Sequence, residues 1–182
     1  MKDYFLNKQL NRPDYTLILD LDETLIHYIK GKQESNDIEE DYYLIRPHTV
    51  KFLKEVSKYY ELVIFTAGTK GYADPIIDDI DPEYLISYRL YRHHTYGDED
   101  EYIKDIELIG RDLKSTIIVD NTCDNFKHQK DNGIHIRSWF DDYTDCRLKK
   151  LSSILIQIAK SKPKDIAKEL KMYREDIQKH IE

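Results

Sequence analysis

Apolar residues in this chain fall into short unbroken runs, separated by stretches in which they recur every three or four positions. The runs at 16–21, 62–65, 84–87, 116–119 and 133–136 have strand length and are rich in Ile, Val and Leu, as strands buried on both faces are. Between the first two lies "PHTVKFLKEVSKYY", where Phe52, Leu53, Val56 and Tyr60 recur at helical spacing and Pro47 suits an entry turn. Strands alternating with helices predict an α/β fold: a mostly parallel sheet with right-handed crossovers and helices on both faces. In such sheets ligands bind at the carboxyl ends of the strands. Residues 28–41, "YIKGKQESNDIEED", are polar and broken by Gly31 and a Ser-Asn-Asp cluster, which predicts an exposed insert. From Pro163 onward, Ile166, Leu170, Tyr173 and Ile177 line one face of a further predicted helix.

At 182 residues the chain has the length of one domain. The expected division is an N-terminal extension over 1–14, a core domain over 15–160 and a C-terminal helix over 161–182 packed on it. A net charge of −7 argues against nucleic acid, because such binding is mostly phosphate neutralisation by Lys and Arg. No run has the length of a signal-peptide core or a membrane span. Cys123 and Cys146 form no C-x-x-C pattern, which suits a reducing compartment. Together these predict a soluble monomer, cytoplasmic or nuclear, with no direct nucleic-acid or membrane partner.

The chemistry concentrates where the first run ends. In "LILDLDETLIH" (17–27), Asp20 and Asp22 stand one residue apart, on the same side of an extended chain. Two carboxylates in one site repel unless a cation, a substrate or a proton intervenes. A calcium loop also begins D-x-D, but it requires Gly at 25 and an acid at 31, where this chain has Leu25 and Gly31. Mg²⁺ would relieve the repulsion and hold a phosphate. One carboxylate could attack phosphorus while the second protonates the leaving oxygen. Donors for the phosphoryl oxygens and oxygen ligands for a cation are available after the later strands. Thr66 follows "LVIF" with Gly68 nearby, Asp120 and Asn121 follow "TIIV", and Lys104 in "EYIKDI" is a candidate cation.

These residues resemble a known family. "LDLDETLIH" is similar to the D-x-D-x-T signature of the haloacid dehalogenase superfamily. The strings R-P-H, F-T-A, Y-A-D-P, G-R-D-L, V-D-N and S-W-F-D-D, kept in order over residues 15–160, resemble the small C-terminal-domain phosphatases, also called NLI-interacting-factor-like phosphatases. The resemblance implies a haloacid-dehalogenase-like fold with a short insert instead of a large cap. It also implies a Mg²⁺-dependent phosphatase acting on phosphoserine or phosphothreonine in proteins. Carried over by motif, Asp20 is the nucleophile that becomes aspartyl-phosphate, and Asp22 is the general acid and then base. Thr66 and Lys104 hold the phosphoryl group. Asp20, the Asp22 carbonyl and Asn121 are the metal ligands, and Asp120 supports them. Thr24, from the signature, and Arg92, in "YRHH", fall on the substrate side.

Departures from the family pattern shape the expected specificity. The insert is short and acidic, and "GDEDE" at 97–101 predicts an acidic lip that favours basic residues flanking a phosphosite, within the roughly 10 Å reach of unscreened charge. Cys123 stands where the family has Pro, with no consequence expected. Among smaller signals, His93 and His94 read as exposed and His27 and His48 as orienting the loop or insert. Trp139 reads as core, and Asp141 and Asp142 as caps of a helix starting near Thr144. The readings that stand beside a protein phosphatase are a phosphatase of small molecules, nucleic acids or phosphotyrosine, and a non-catalytic phosphoprotein-binding module.

Overall fold

The first apolar run becomes β1 (Tyr15–Leu19) in a computed structural model that describes residues 4–6, 12–31, 33–34, 37–38, 40–97 and 101–182. The insert follows as β2 (Ile26–Ile29), β3 (Gln33–Glu34), β4 (Asp37–Ile38) and β5 (Tyr42–Ile45). Then come α1 (Thr49–Val56), β6 (Tyr60–Phe65), α2 (Lys70–Ile80) and β7 (Ile86–Leu90). The second half adds β8 (Thr116–Asp120), β9 (Gly133–His135), α3 (Arg147–Ser161), α4 (Ile166–Met172) and α5 (Arg174–His180). Short 3-10 turns at Arg92–His94, Ile106–Ile109, Leu113–Ser115 and Cys123–Asn132 join the strands of this half.

Five strands pair in the order β7-β6-β1-β8-β9, all parallel. The chain leaves β1 toward β6 and β7 on one side, then returns to lay β8 and β9 on the other. The carboxyl end of β1 is therefore the switch point at which crossovers diverge and a crevice opens. Alternation along the strands sends Leu17, Leu19, Leu62, Ile64, Ile117 and Val119 to one face, under residues of all five α-helices. Ile18, Val63, Phe65 and Ile118 go to the other, under Leu6, Ile106, Ile109 and Phe126. Both faces are covered, one by α-helices and the other by 3-10 turns and the N-terminal segment. Cover that thin requires close approach: a Cβ on Gly133 would lie 2.0 Å from the Phe126 ring, so only glycine fits there.

The insert is an antiparallel β2–β5 ribbon with a β3–β4 pair. Lys32, Ser35, Asn36 and Glu39 of the insert lie outside the described residues. Two expectations shift. The strand sought at 84–87 begins at Ile86, because Tyr84 turns through φ 55° and the Asp81 carboxylate accepts the Leu85 and Ile86 N–H groups at 2.9 Å. The single C-terminal helix is two, α4 and α5, meeting at Tyr173. Ile166, Leu170, Ile177 and Ile181 are nonetheless fully buried in the main core, each contributing roughly 1.5–3 kcal/mol.

Candidate active site

Asp20 continues the line of β1, its N–H donating to Val119 O at 3.0 Å. The chain then folds on itself. Glu23 takes a left-handed φ of 56°, uncommon outside glycine, and the Thr24, Leu25 and Ile26 N–H groups all donate to Leu21 O. Arg46 of the R-P-H string, fully buried, secures this loop by donating to Thr24 O at 3.1 Å and to both carboxylate oxygens of Asp145. Trp139, buried as expected, donates its backbone N–H to Glu23 O at 2.8 Å.

Beneath the loop lies a charge cluster. The Lys104 ammonium, fully buried, bonds Asp20 Oδ1 at 2.5 Å and Asp120 Oδ2 at 2.6 Å. Asp120 Oδ1 accepts from Thr122 N and Asn125 Nδ2. Two carboxylates thus share one ammonium in a buried site. Burial pushes the Asp20 carboxyl up to about 7, with Asp120 and Asp22 adding repulsion and Lys104 opposing it. Burial would lower the Lys104 ammonium, but its two carboxylate partners outweigh it and hold the pKa above the ordinary value.

Asp22 stands above the cluster. Its Oδ2 accepts from Thr66 Oγ1 at 3.2 Å and its Oδ1 from the Tyr72 hydroxyl of α2. Thr66 Oγ1 accepts in turn from Gly68 N at 2.8 Å. The glycine is needed at this point, since a Cβ would sit 2.8 Å from the Tyr72 ring and 3.1 Å from Thr66 Oγ1. A cavity of about 430 Å³ opens here, lined by Asp22, Glu23, Tyr28, Ala67, Gly68, Thr69, Tyr72 and Arg92. Arg92 lies on its rim, donating to Ala67 O at 2.6 Å with its guanidinium 5.3 Å from the Tyr102 ring.

Asp20, Asp22 and Asn121 offer a hard, oxygen-only donor set. Asn121 Nδ2 donates to Ser138 Oγ at 2.9 Å, which identifies the opposite oxygen, Oδ1, as the one available to a cation. No group of three or more His, Cys, Asp or Glu suited to a metal occurs among the described residues. Few carboxylates, an amide oxygen and excess negative charge fit Mg²⁺, which keeps waters and shares phosphate oxygens; they do not fit zinc.

Of the residues singled out in the sequence, Asp20, Lys104 and Asp120 meet directly, as do Asp22 and Thr66. Thr24, expected on the substrate side, is fully buried and donates to Asp20 Oδ2 at 3.1 Å, so its hydroxyl contacts the nucleophile candidate. His93 is exposed, and His94 Nδ1 accepts from Tyr91 N. His27 bonds Glu23, and exposed His48 opens α1 at φ 74°. Asp141 and Asp142 do not cap a helix: α3 starts at Arg147, Asp142 closes a turn onto Thr144, and Asp145 accepts from Arg147 N. Residues 98–100 of the acidic lip lie outside the described residues, and Glu101 is paired with Lys127. Tyr72, Asn125 and Ser138 were not foreseen. Tyr72 stands inside the Y-A-D-P string, but only α2 brings its hydroxyl to Asp22.

A parallel sheet carrying an aspartate pair and a buried lysine at its switch point defines a doubly wound α/β domain with a polar site at the carboxyl ends of its strands. A family model, NLI interacting factor-like phosphatase, matches residues 15–167, and the chain belongs to that family. Among its relatives, CTD small phosphatase-like protein 3 of Caenorhabditis elegans is 40% identical over 159 residues, covering 81% of this chain and 55% of the relative. A probable C-terminal domain small phosphatase of Dictyostelium discoideum is 39% identical over 155 residues, covering 80% and 51%. The chain therefore spans about half the length of these curated relatives. Among solved structures, fission yeast RNA polymerase II CTD phosphatase Fcp1 bound to beryllium fluoride shares the fold, with a TM-score of 0.54, 21% identity, and coverage of 92% of this chain and 57% of that one. Among the described residues no helix is long and apolar enough to cross a membrane.

Proposed function

We propose that the chain is a Mg²⁺-dependent phosphatase of phosphoserine and phosphothreonine in proteins, working through an aspartyl-phosphate on Asp20. The observation that carries this reading is the buried triad of Asp20, Lys104 and Asp120, set beside an acid, Asp22, that faces an open cavity. Asp20 attacks phosphorus, the bond from phosphorus to the seryl or threonyl oxygen breaks, and Asp22 delivers a proton to that oxygen. Water then attacks the phosphorus of the acyl phosphate, Asp22 takes its proton, and Asp20 and inorganic phosphate are released. Lys104 and Thr66 supply positive charge and a hydrogen-bond donor to the phosphoryl oxygens. Asp20, the Asp22 carbonyl and Asn121 would hold the Mg²⁺, which supplies further neutralisation of the phosphoryl charge. Arg92 and Tyr72 on the cavity rim suit a peptide flank. Relatives named for the CTD, and an insert that among the described residues is only a short ribbon, make phosphopeptides of CTD type the first substrates to offer.

The test is phosphate release from phosphoserine and phosphothreonine peptides with Mg²⁺, with EDTA, and in Asp20→Asn and Asp22→Asn. Release that needs the metal and both aspartates is expected. Folded wild-type protein that binds phosphopeptide without turnover would instead support the binding-module reading. Basic- and acidic-flanked peptides compared at low and high salt test the acidic lip; equal kcat/KM values would remove it.

A further inference from the structure

The two hydroxyls on Asp22 do different things, and this inference rests on the phosphatase reading above. Thr66 has a single hydroxyl hydrogen, and its oxygen already accepts from Gly68 N, so that hydrogen points to Asp22 Oδ2. When a phosphoryl group arrives, the same hydrogen must turn to a phosphoryl oxygen, and Oδ2 loses its donor. The Tyr72 hydroxyl stays on Oδ1. Its ring is held on two sides: it rests over Gly68, where a Cβ would lie 2.8 Å from Tyr72 Cδ1, and it meets the Tyr28 ring edge-on at 5.2 Å and 83°. We propose that Tyr72 is a positioning residue that fixes the Asp22 carboxyl with Oδ1 toward α2 and Oδ2 toward Thr66 and the leaving group. Without it the carboxyl can rotate away from the leaving group. In the second half-reaction the same hydroxyl holds the carboxylate that accepts the proton from water.

Such a role predicts a loss that depends on the leaving group, because a weakly basic leaving oxygen needs no proton and a strongly basic one does. The experiment measures kcat/KM, which reports only steps up to departure of the leaving group, for para-nitrophenyl, phenyl and benzyl phosphate. These small substrates carry no peptide flank to touch Tyr72. Wild type is compared with Tyr72→Phe, which keeps the ring packing, and with Tyr43→Phe in β5 of the insert, which loses a comparable bond to Asp79 of α2. Tyr72→Phe should stay within about threefold of wild type on para-nitrophenyl phosphate and lose roughly 10- to 100-fold on benzyl phosphate. Tyr43→Phe should follow wild type across the series. A uniform loss in Tyr72→Phe, or none, would overturn the positioning role while leaving the phosphatase reading intact. Wild type inactive on all three, or activity indifferent to Asp20→Asn, would overturn both.

Discussion

Buried charge occurs in two kinds of place in this molecule, and the arithmetic differs. In the scaffold two buried carboxylates have two guanidinium partners each: Asp145 has Arg46 at 3.1 Å and Arg147 at 2.6 Å, and Glu61 has Arg111 at 2.7 Å and Arg12 at 3.7 Å. In the site two carboxylates, Asp20 and Asp120, share the single ammonium of Lys104. Scaffold charge is saturated with cations and bonded in fixed, forked geometry, so it holds the chain in place. Site charge is left short of cations, which costs stability and leaves room for a metal.

The sharpest way to break this contrast is Asp20→Asn. It should lower phosphatase activity by at least about 10³-fold, since the nucleophile is gone. Thermal melting should show no loss, because one of two competing buried charges has been removed. A melting temperature that falls steeply would mean that the site cluster is structural after all. Arg46→Leu should behave in the opposite way, costing about 3–5 kcal/mol in urea unfolding by leaving Asp145 buried with too little compensation. A cost below about 1 kcal/mol would put this strut with ordinary surface pairs.

Acid sharpens the comparison further. Burial would raise the Asp145 carboxyl, but hydrogen bonds from Arg46 and Arg147 prevail and hold it below its ordinary value. A depressed carboxyl stabilises the fold above its unfolded pKa and loses that contribution as pH falls through the folded value. The strut therefore stabilises fully at pH 7 and fails below about pH 4. Melting curves from pH 7 to 3 should fall less steeply in Asp145→Asn than in wild type; parallel curves would contradict the assignment. The smallest effect expected is that of Ser138→Ala, which frees the Asn121 amide to rotate. It should raise the Mg²⁺ concentration for half-maximal activity roughly tenfold with little change in melting temperature.

Much of the fold was legible because its signals are local. The run before Asp20 is apolar at 17–19, all fully buried, and D-L-D puts two acids on one side of an extended chain. The misread segments are those in which local and tertiary preferences compete. Periodicity carries a helix through Tyr173, but the core takes Ile166 and Leu170 on one short helix and Ile177 on the next. Asp81 claims the amides with which β7 would otherwise have begun. Asp141 and Asp142 have helix-capping chemistry, yet Asp145 reaches the amide that opens α3.

Sequence alone determined the parallel α/β architecture and the acid pair at the end of β1, together with the residue types able to serve it, because hydrophobic periodicity and side-chain chemistry are written residue by residue. Tertiary structure alone decided which of those residues touch. Lys104 in its own segment is only a candidate cation, since a single lysine is most often surface charge. It becomes a fully buried bridge between Asp20 and Asp120 because a loop 84 positions downstream of Asp20 crosses the end of the sheet. Tyr72 becomes a partner of Asp22 for the same reason, since α2 starts where β6 delivers it. A shared charge and a fixed carboxyl depend on distances of a few ångströms between remote segments, and only the packed chain sets those distances.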